Sequence, residues 1–139
     1  MMNKRFVPLI AAAFSLLMAV VLVVGAAAAP DPFRGKWYST DEDLSSQSLV
    51  IGGGPGGSYH VRYFDDGATA CGWSEESGGP AASATGFLSA SGFVLSGDLP
   101  VYCLTTPPHL LDGSPFEFAF TYDSGTGFLT DNHGIVWSH

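Results

Sequence analysis

The feature that most constrains this chain is an alternation of aromatic and smaller or polar residues near its end. Phe116, Phe118, Phe120 and Tyr122 are each separated by one such residue. Because successive side chains of a β-strand point to opposite faces, this period of two predicts a half-buried strand with an aromatic inner face. A helix needs an apolar period of three to four residues, and no stretch after residue 30 shows one.

The same alternation recurs in shorter stretches separated by turn residues. It is clearest at Tyr59, Val61 and Tyr63, and the opposite phase places His60 on the exposed face. The pattern predicts an all-β fold, a small antiparallel meander of about seven strands that closes as a barrel or folds as a sandwich. We expect an exposed connection at Glu75–Ala84. The predicted turns are Gly52–Gly57, Asp65–Gly67, Ser91–Gly92, Asp112–Pro115, Asp123–Gly125 and Asn132–Gly134.

The first 29 residues have the pattern of a signal peptide. Lys4 and Arg5 precede an uncharged apolar stretch that ends in Gly25 and four alanines, the small residues a signal peptidase needs. We expect cleavage close to Ala28, which leaves one all-β domain at 30–139, secreted or on the exterior of the cell envelope. The stretch is also long enough to span a bilayer, so an uncleaved anchor is the alternative.

The charge balance disfavours two classes of partner. The net charge is −8, and Lys4 and Arg5 account for two of the five basic residues. The part after residue 29 therefore has three basic against 13 acidic residues, a net charge of −10. Nucleic-acid binding needs clustered Lys and Arg, so we expect no nucleic-acid partner. An acidic surface is likewise repelled by anionic membranes, and we expect no membrane partner after cleavage.

Two cysteines, Cys71 and Cys103, lie in the part that would enter an oxidising compartment. A disulfide is the expected state of such a pair. The loop that it closes has 33 residues, and the chain-entropy relation gives such a loop about 3.7 kcal/mol of stabilisation. Free thiols or a metal pair are the alternatives, but the cysteines are far apart in sequence and no His lies near either one.

The segment Phe-Arg-Gly-Lys-Trp-Tyr at residues 33–38 resembles the G-x-W opening of the calycin barrels, which include lipocalins, fatty-acid-binding proteins and avidins. Gly35, Trp37 and Tyr38 carry the resemblance. It implies that Trp37 begins the first strand and plugs one end of a barrel that carries a small apolar ligand. Secreted bacterial inhibitors of metalloproteases share the early G-x-W, the small barrel and one disulfide, which implies an inhibitor-like contact with a protein.

One short motif suggests catalysis. Asp123-Ser124-Gly125 follows a predicted strand and matches the D-[ST]-G signature of aspartic proteases, in which two aspartates share a proton. One motif per chain would require a homodimer, whereas Asp, Ser and Gly are also the residues expected in a β-turn. We expect the turn, a monomer and no enzyme, and keep a homodimeric aspartic-type hydrolase that uses Asp123 as an alternative.

A calcium site is the one cofactor that the sequence suggests. Asp41, Asp43 and Ser45 place oxygen ligands at alternate positions, although the Gly and Glu that an EF-hand needs later in its loop are missing. The plainer interpretation is a solvated acidic loop between two strands. The four histidines show no zinc-binding spacing, so we expect no other cofactor.

The sequence leaves two kinds of binding open. A protein partner would contact loops carried on the barrel, and Trp73 is the candidate for an exposed interface residue, unless it packs over the disulfide. A small ligand would instead occupy an internal cavity. We expect the module that binds a protein, with the small-ligand carrier as the alternative. The residues predicted to line such a cavity are Tyr59, Tyr63, Phe118 and Phe120.

Overall fold

The structure is a computed structural model that describes residues 30–42, 44–53, 55–72 and 78–139. The predicted signal peptide, Asp43 and Trp73 lie outside the described residues, so the predictions made for them stay predictions. Within the described part, no helix is long and apolar enough to cross a membrane.

The predicted all-β class is confirmed, but the described residues form ten strands rather than about seven. One of the additional strands, at His109–Leu110, has only two residues and cannot show an alternation in sequence. Another arises because Pro100 interrupts what the sequence presents as one strand. The strands are β1 (Gly35–Thr40), β2 (Ser46–Gly53), β3 (Ser58–Asp65), β4 (Ala82–Ser91), β5 (Val94–Leu99), β6 (Val101–Cys103), β7 (His109–Leu110), β8 (Phe116–Asp123), β9 (Phe128–Asp131) and β10 (Val136–Trp137).

The strands form one antiparallel sheet that curls into a nearly closed barrel. The order around the barrel is β1-β2-β3-β4-β5-β8-β9-β10, and the short β6–β7 hairpin extends from the beginning of β4. Tyr38 and Ser138 join the two edges by reciprocal backbone bonds of 2.8 and 3.0 Å. Of the two predicted architectures, the barrel is therefore the one that forms.

The beginning of β4 corrects one prediction. Ala82, Ser83 and Ala84 were expected in an exposed connection, but they pair with β3 on one side and β6 on the other. Both alanines are buried. Alanine has little surface to bury and a low strand propensity, so this alternation gave a weak signal in sequence.

One end of the barrel is filled by side chains. Phe33, which precedes β1, is buried and packs edge-on against Tyr59 with the ring centroids 5.6 Å apart. The Tyr59 hydroxyl donates to Asp31 at 2.9 Å. Trp37 is buried beside them, and its indole N–H donates to the Phe33 carbonyl at 2.8 Å. We refer to this end as the plugged end.

The predicted disulfide between Cys71 and Cys103 is present, with the two Cα atoms 5.5 Å apart. Cys71 ends a 3-10 turn after β3, and Cys103 ends β6. The bridge therefore ties the β3–β4 connection to the β6–β7 hairpin, at the end of the barrel opposite Phe33.

Candidate functional site

The end of the barrel opposite the plugged end contains a cavity of about 480 Å³. This falls within the range of about 300–1,000 Å³ that small-molecule sites occupy. The cavity is formed where β1, β3 and β9 end and where β2, β4 and β8 begin. The described residues that line it are Asp41, Glu42, Gln47, Tyr63, Asp65, Ala68, Ala70, Ala82, Val101, Leu111, Phe116, Glu117, Phe118, Phe120, Asp131, Asn132, His133, Ile135 and Trp137.

Polarity along the inner face changes in the same direction on neighbouring strands. On β3, the inner face runs from Tyr59 and Val61, which are buried, to Tyr63 and then Asp65. On β9 the buried Leu129 is followed two residues later by Asp131. On β2, the inner face runs from Gln47 at the open end to the buried Leu49 and Ile51. Apolar residues therefore fill the barrel towards the plugged end, and polar residues line its open end.

Four aromatic rings form a continuous cluster inside the cavity. Tyr63 meets Phe118 edge-on at 5.4 Å between ring centroids and Trp137 at 6.1 Å. Phe120 lies 5.8 Å from Trp137 in the same arrangement and 6.3 Å from Phe118. Edge-to-face pairs at such distances are the favoured geometry of aromatic contacts, so these rings hold one another in place. Phe116, expected in the core, is partly exposed at the mouth of the cavity because it lies at the beginning of β8.

A chain of hydrogen bonds fixes the polar groups beside these rings. The Gln47 side-chain amide donates to Asp41 at 2.9 Å and to the Tyr63 hydroxyl at 3.1 Å. Tyr63 in turn donates to Asp65 at 3.2 Å. Asp65 is buried and also accepts from the Ser45 hydroxyl and the Gly67 N–H. Because each polar side-chain atom of Gln47, Tyr63 and Asp65 has a partner, these groups are fixed before any ligand arrives.

The surroundings of Tyr63 raise the pKa of its hydroxyl well above the usual value. Burial is the largest cause, followed by the charge of Asp65 and the hydrogen bond to it. The charges of Asp41 and Asp131 act in the same direction. Tyr63 therefore stays a neutral hydrogen-bond donor, and the three carboxylates place a negative field at this point of the cavity.

Asp131 organises the opposite side of the cavity. One carboxylate oxygen accepts from the backbone N–H groups of His133 and Ile135, each at 2.9 Å. The other accepts from the indole N–H of Trp137 at 3.1 Å. Trp137 is almost fully buried, so this bond satisfies a donor that has no access to bulk water.

The cavity is surrounded by negative charge. Five acidic residues are among the described lining residues, which include no Lys or Arg. The basic side chains Arg34, Lys36 and Arg62 are exposed and belong to other parts of the surface. The acidic residues are Asp41, Glu42, Asp65, Glu117 and Asp131.

The structure brings together three of the four residues predicted to line a cavity. Tyr63, Phe118 and Phe120 border the same space, whereas Tyr59 is part of the plugged end. Sequence reasoning missed Asp65, which it assigned to a turn, and Asp131, which directly precedes the predicted turn at Asn132–Gly134. Both continue the period of two of a buried face, and that continuation was the signal that could have identified them.

Two residues of the predicted calcium site are described, and both already have partners within the protein. Asp41 accepts from Gln47 and from the Glu42 N–H, and the Ser45 hydroxyl donates to Asp65. Across the described residues, no group of three or more His, Cys, Asp or Glu side chains is arranged to hold a metal ion.

Asp123 lies far from the cavity, in the exposed β8–β9 turn at the plugged end. Its carboxylate accepts from the Gly125 N–H at 2.8 Å, and its carbonyl accepts from the Gly127 N–H at 2.8 Å. The bond from Gly125, together with the Thr126 hydroxyl, lowers the pKa of Asp123. These contacts are those of a turn-forming aspartate.

Comparison with known proteins adds no relative. No protein-family model matches the chain, and neither a curated protein nor a solved structure matches it. The resemblance of the Gly35–Trp37 segment to calycins therefore stays a prediction from the sequence.

Proposed function

We propose that this chain is an exported, non-catalytic binding protein that holds a small molecule in the open end of its barrel. The observation that carries the proposal is the cavity of about 480 Å³, which combines an aromatic cluster with polar groups fixed by hydrogen bonds. Sites for small molecules are concave and mostly apolar, with a few polar groups that orient the ligand.

The aromatic rings that line the cavity lie on strands, and this placement supports a binding role for the cavity. Tyr63, Phe118 and Trp137 are carried by three different strands whose register is set by the barrel. Sites on regular elements are positioned more accurately than sites on loops. The plugged end leaves the cavity open in one direction, as a carrier of a small ligand needs.

Binding of a neutral fluorescent probe tests the proposal. Nile red should become brighter on addition of the protein and saturate at one probe per chain. Ala70 is an exposed residue of the lining, so Ala70→Trp places a large ring at the mouth and should weaken binding about tenfold or more. Thr85→Trp adds the same ring to the exposed outer face of β4 and should leave binding unchanged.

Two results would contradict the proposal. One is absence of any probe binding to the folded protein. The other is binding that Ala70→Trp and Thr85→Trp affect equally, because the probe would then occupy a place other than the cavity.

A further inference from the structure

The charge and the aromatic cluster of the cavity together restrict the kind of ligand that fits. This inference rests on the proposed binding function and concerns the chemistry of the ligand alone. A neutral molecule would gain no charge–charge attraction from the acidic lining. An anion would be repelled by it, because the described lining has no Lys or Arg to offset the carboxylates.

The aromatic rings of the cavity are the second feature that favours a cationic ligand. The electron-rich faces of Trp and Tyr attract a cation placed over them, and aromatic cages are how proteins recognise quaternary ammonium groups. Tyr63, Phe118, Phe120 and Trp137 line one cavity and lie in mutual contact, with centroid distances from 5.4 to 6.3 Å. Tyr63 and Phe118 are the partly exposed members of this cluster, and their ring planes are inclined by 62°, so the two rings face the cavity in different directions, whereas Phe120 and Trp137 are buried.

The hydrogen bonds of the carboxylates indicate what sort of cation is recognised. Asp65 receives three protein donors and Asp131 receives another three. Asp41 accepts from the Gln47 side-chain amide and from the Glu42 backbone N–H. Their lone pairs are thus largely used within the protein while their charge remains. These three aspartates therefore act on a ligand mainly through their field rather than by accepting its N–H groups. A primary ammonium group needs three acceptors, and a methylated one needs fewer or none.

We propose that the cavity binds a small organic cation of the methylated ammonium type, with its alkylated nitrogen against the partly exposed rings of Tyr63 and Phe118 and its charge offset by the acidic lining. The protein's overall negative charge assists the approach of such a ligand.

The test compares molecules of one shape and different charge. Phenyltrimethylammonium is the cationic probe, tert-butylbenzene is its neutral counterpart, and benzenesulfonate is an anion of similar size. Binding to the whole exported protein would be followed by NMR shifts of the amides that line the cavity. We expect the cation to bind on the order of tenfold more tightly than tert-butylbenzene, and benzenesulfonate not to bind.

Charge-removing variants locate the effect. Glu42 and Glu117 are exposed members of the lining, so replacing both by Gln should not disturb the buried network. We expect Glu42→Gln/Glu117→Gln to weaken binding of the cation about threefold to tenfold and to leave tert-butylbenzene unaffected. Asp123→Asn removes a charge at the plugged end, away from the cavity, and is the control for a change of surface charge, with no expected effect on binding. Added salt should weaken binding of phenyltrimethylammonium and leave binding of tert-butylbenzene unchanged.

The outcomes separate this inference from the proposed function. Equal affinity for phenyltrimethylammonium and tert-butylbenzene, or the same loss in the control as in the glutamate variant, would overturn the cation inference and leave the binding pocket standing. Failure of all three probes to shift the lining amides would overturn both. Preference for benzenesulfonate would overturn the cation inference outright.

Discussion

The imidazole ring of His139 lies over the indole of Trp37, with the ring centroids 3.7 Å apart and the planes inclined by 34°. The Nδ1 atom of the same imidazole is 3.0 Å from the Lys36 carbonyl oxygen. A Cβ atom on Gly35 would come within 2.8 Å of the ring, and Gly35 has a φ of 146°, which L side chains rarely adopt. The need for glycine at position 35 is thus explained by the ring of His139, which is distant in sequence but packs directly against it.

This relationship predicts that His139 and Gly35 act on stability together. His139→Ala should lower the free energy of unfolding by about 0.5–1.5 kcal/mol, the usual worth of an aromatic pair. Gly35→Ala should lower it as well, because the added methyl group displaces the ring and strains the backbone. Urea unfolding of both single variants and the double variant measures the coupling. Strictly additive effects would show that the methyl group and the ring do not compete for one space.

The raised pKa of Tyr63 predicts a loss of stability at high pH. Above the ordinary pKa of 10.0 the unfolded chain releases this proton while the folded chain retains it. Deprotonation then favours the unfolded state, so stability is complete below pH 10 and falls as the pH rises further. Unfolding measured between neutral and strongly alkaline pH should show this slope, and Tyr63→Phe should make it shallower. An unchanged slope in Tyr63→Phe would contradict the explanation.

Removing the Asp131 carboxylate should leave the buried Trp137 N–H without an acceptor. We expect Asp131→Ala to reduce the free energy of unfolding by about 1–3 kcal/mol, the typical effect of an orphaned buried donor. Trp137→Phe removes the N–H that would lack an acceptor. The double variant Asp131→Ala/Trp137→Phe should therefore lose less free energy of unfolding than the sum of the losses in the two single variants. Denaturant unfolding of the four proteins provides the measurement. If the two losses simply add, the bond between the two side chains does not stabilise the fold.

The bridge between Cys71 and Cys103 should contribute strongly to stability. In a domain of this size we expect its removal by the double change to Ser to cost about 2–5 kcal/mol and to lower the melting temperature clearly. Thiol titration of the denatured, non-reduced wild type should detect no free cysteine. The reagent would react with two thiols per chain if the bridge were missing from the isolated protein.

Asp123 should behave as a turn residue. Asp123→Asn keeps an oxygen that can accept from the Gly125 N–H and should lower the melting temperature less than Asp123→Ala does. The lowered pKa of Asp123 means that its contribution is present above the ordinary pKa and lost as the pH falls. Light scattering complements this test. A monomer would exclude the homodimeric hydrolase, while proteolysis abolished by Asp123→Asn would support it.

The sequence was informative wherever large side chains alternate. Phe118 and Phe120 identified β8 and its inner face because bulky rings at a period of two leave few other folds. The alternation alone could not show which end of the barrel is filled, and only the G-x-W resemblance implied a plug at Trp37; Phe33, which precedes the first strand, was not predicted as part of it. Tyr59 and Tyr63 share one face of β3 and are alike in sequence. They have different surroundings only because residues distant in sequence pack at one end of the barrel.

The roles of Asp65 and Asp131 were hidden for a related reason. Aspartate is expected where strands turn, and local preference alone explains both positions. Only the closed sheet shows that they lie across one cavity from each other, since β3 and β9 are distant in the chain. Small buried residues such as Ala82 gave too weak a signal for β4 to be placed correctly.

The joint between β1 and the chain beyond β10 has a mechanical consequence. Among the described residues, Tyr38 and Ser138 form a bridge of one residue pair, whereas β2 and β3 are joined by seven residue pairs. A fluctuation that breaks this bridge would open the barrel into a flat sheet, while every longer strand pairing stays intact. Amide deuteration should therefore start at this seam and reach the β3–β4 hairpin last.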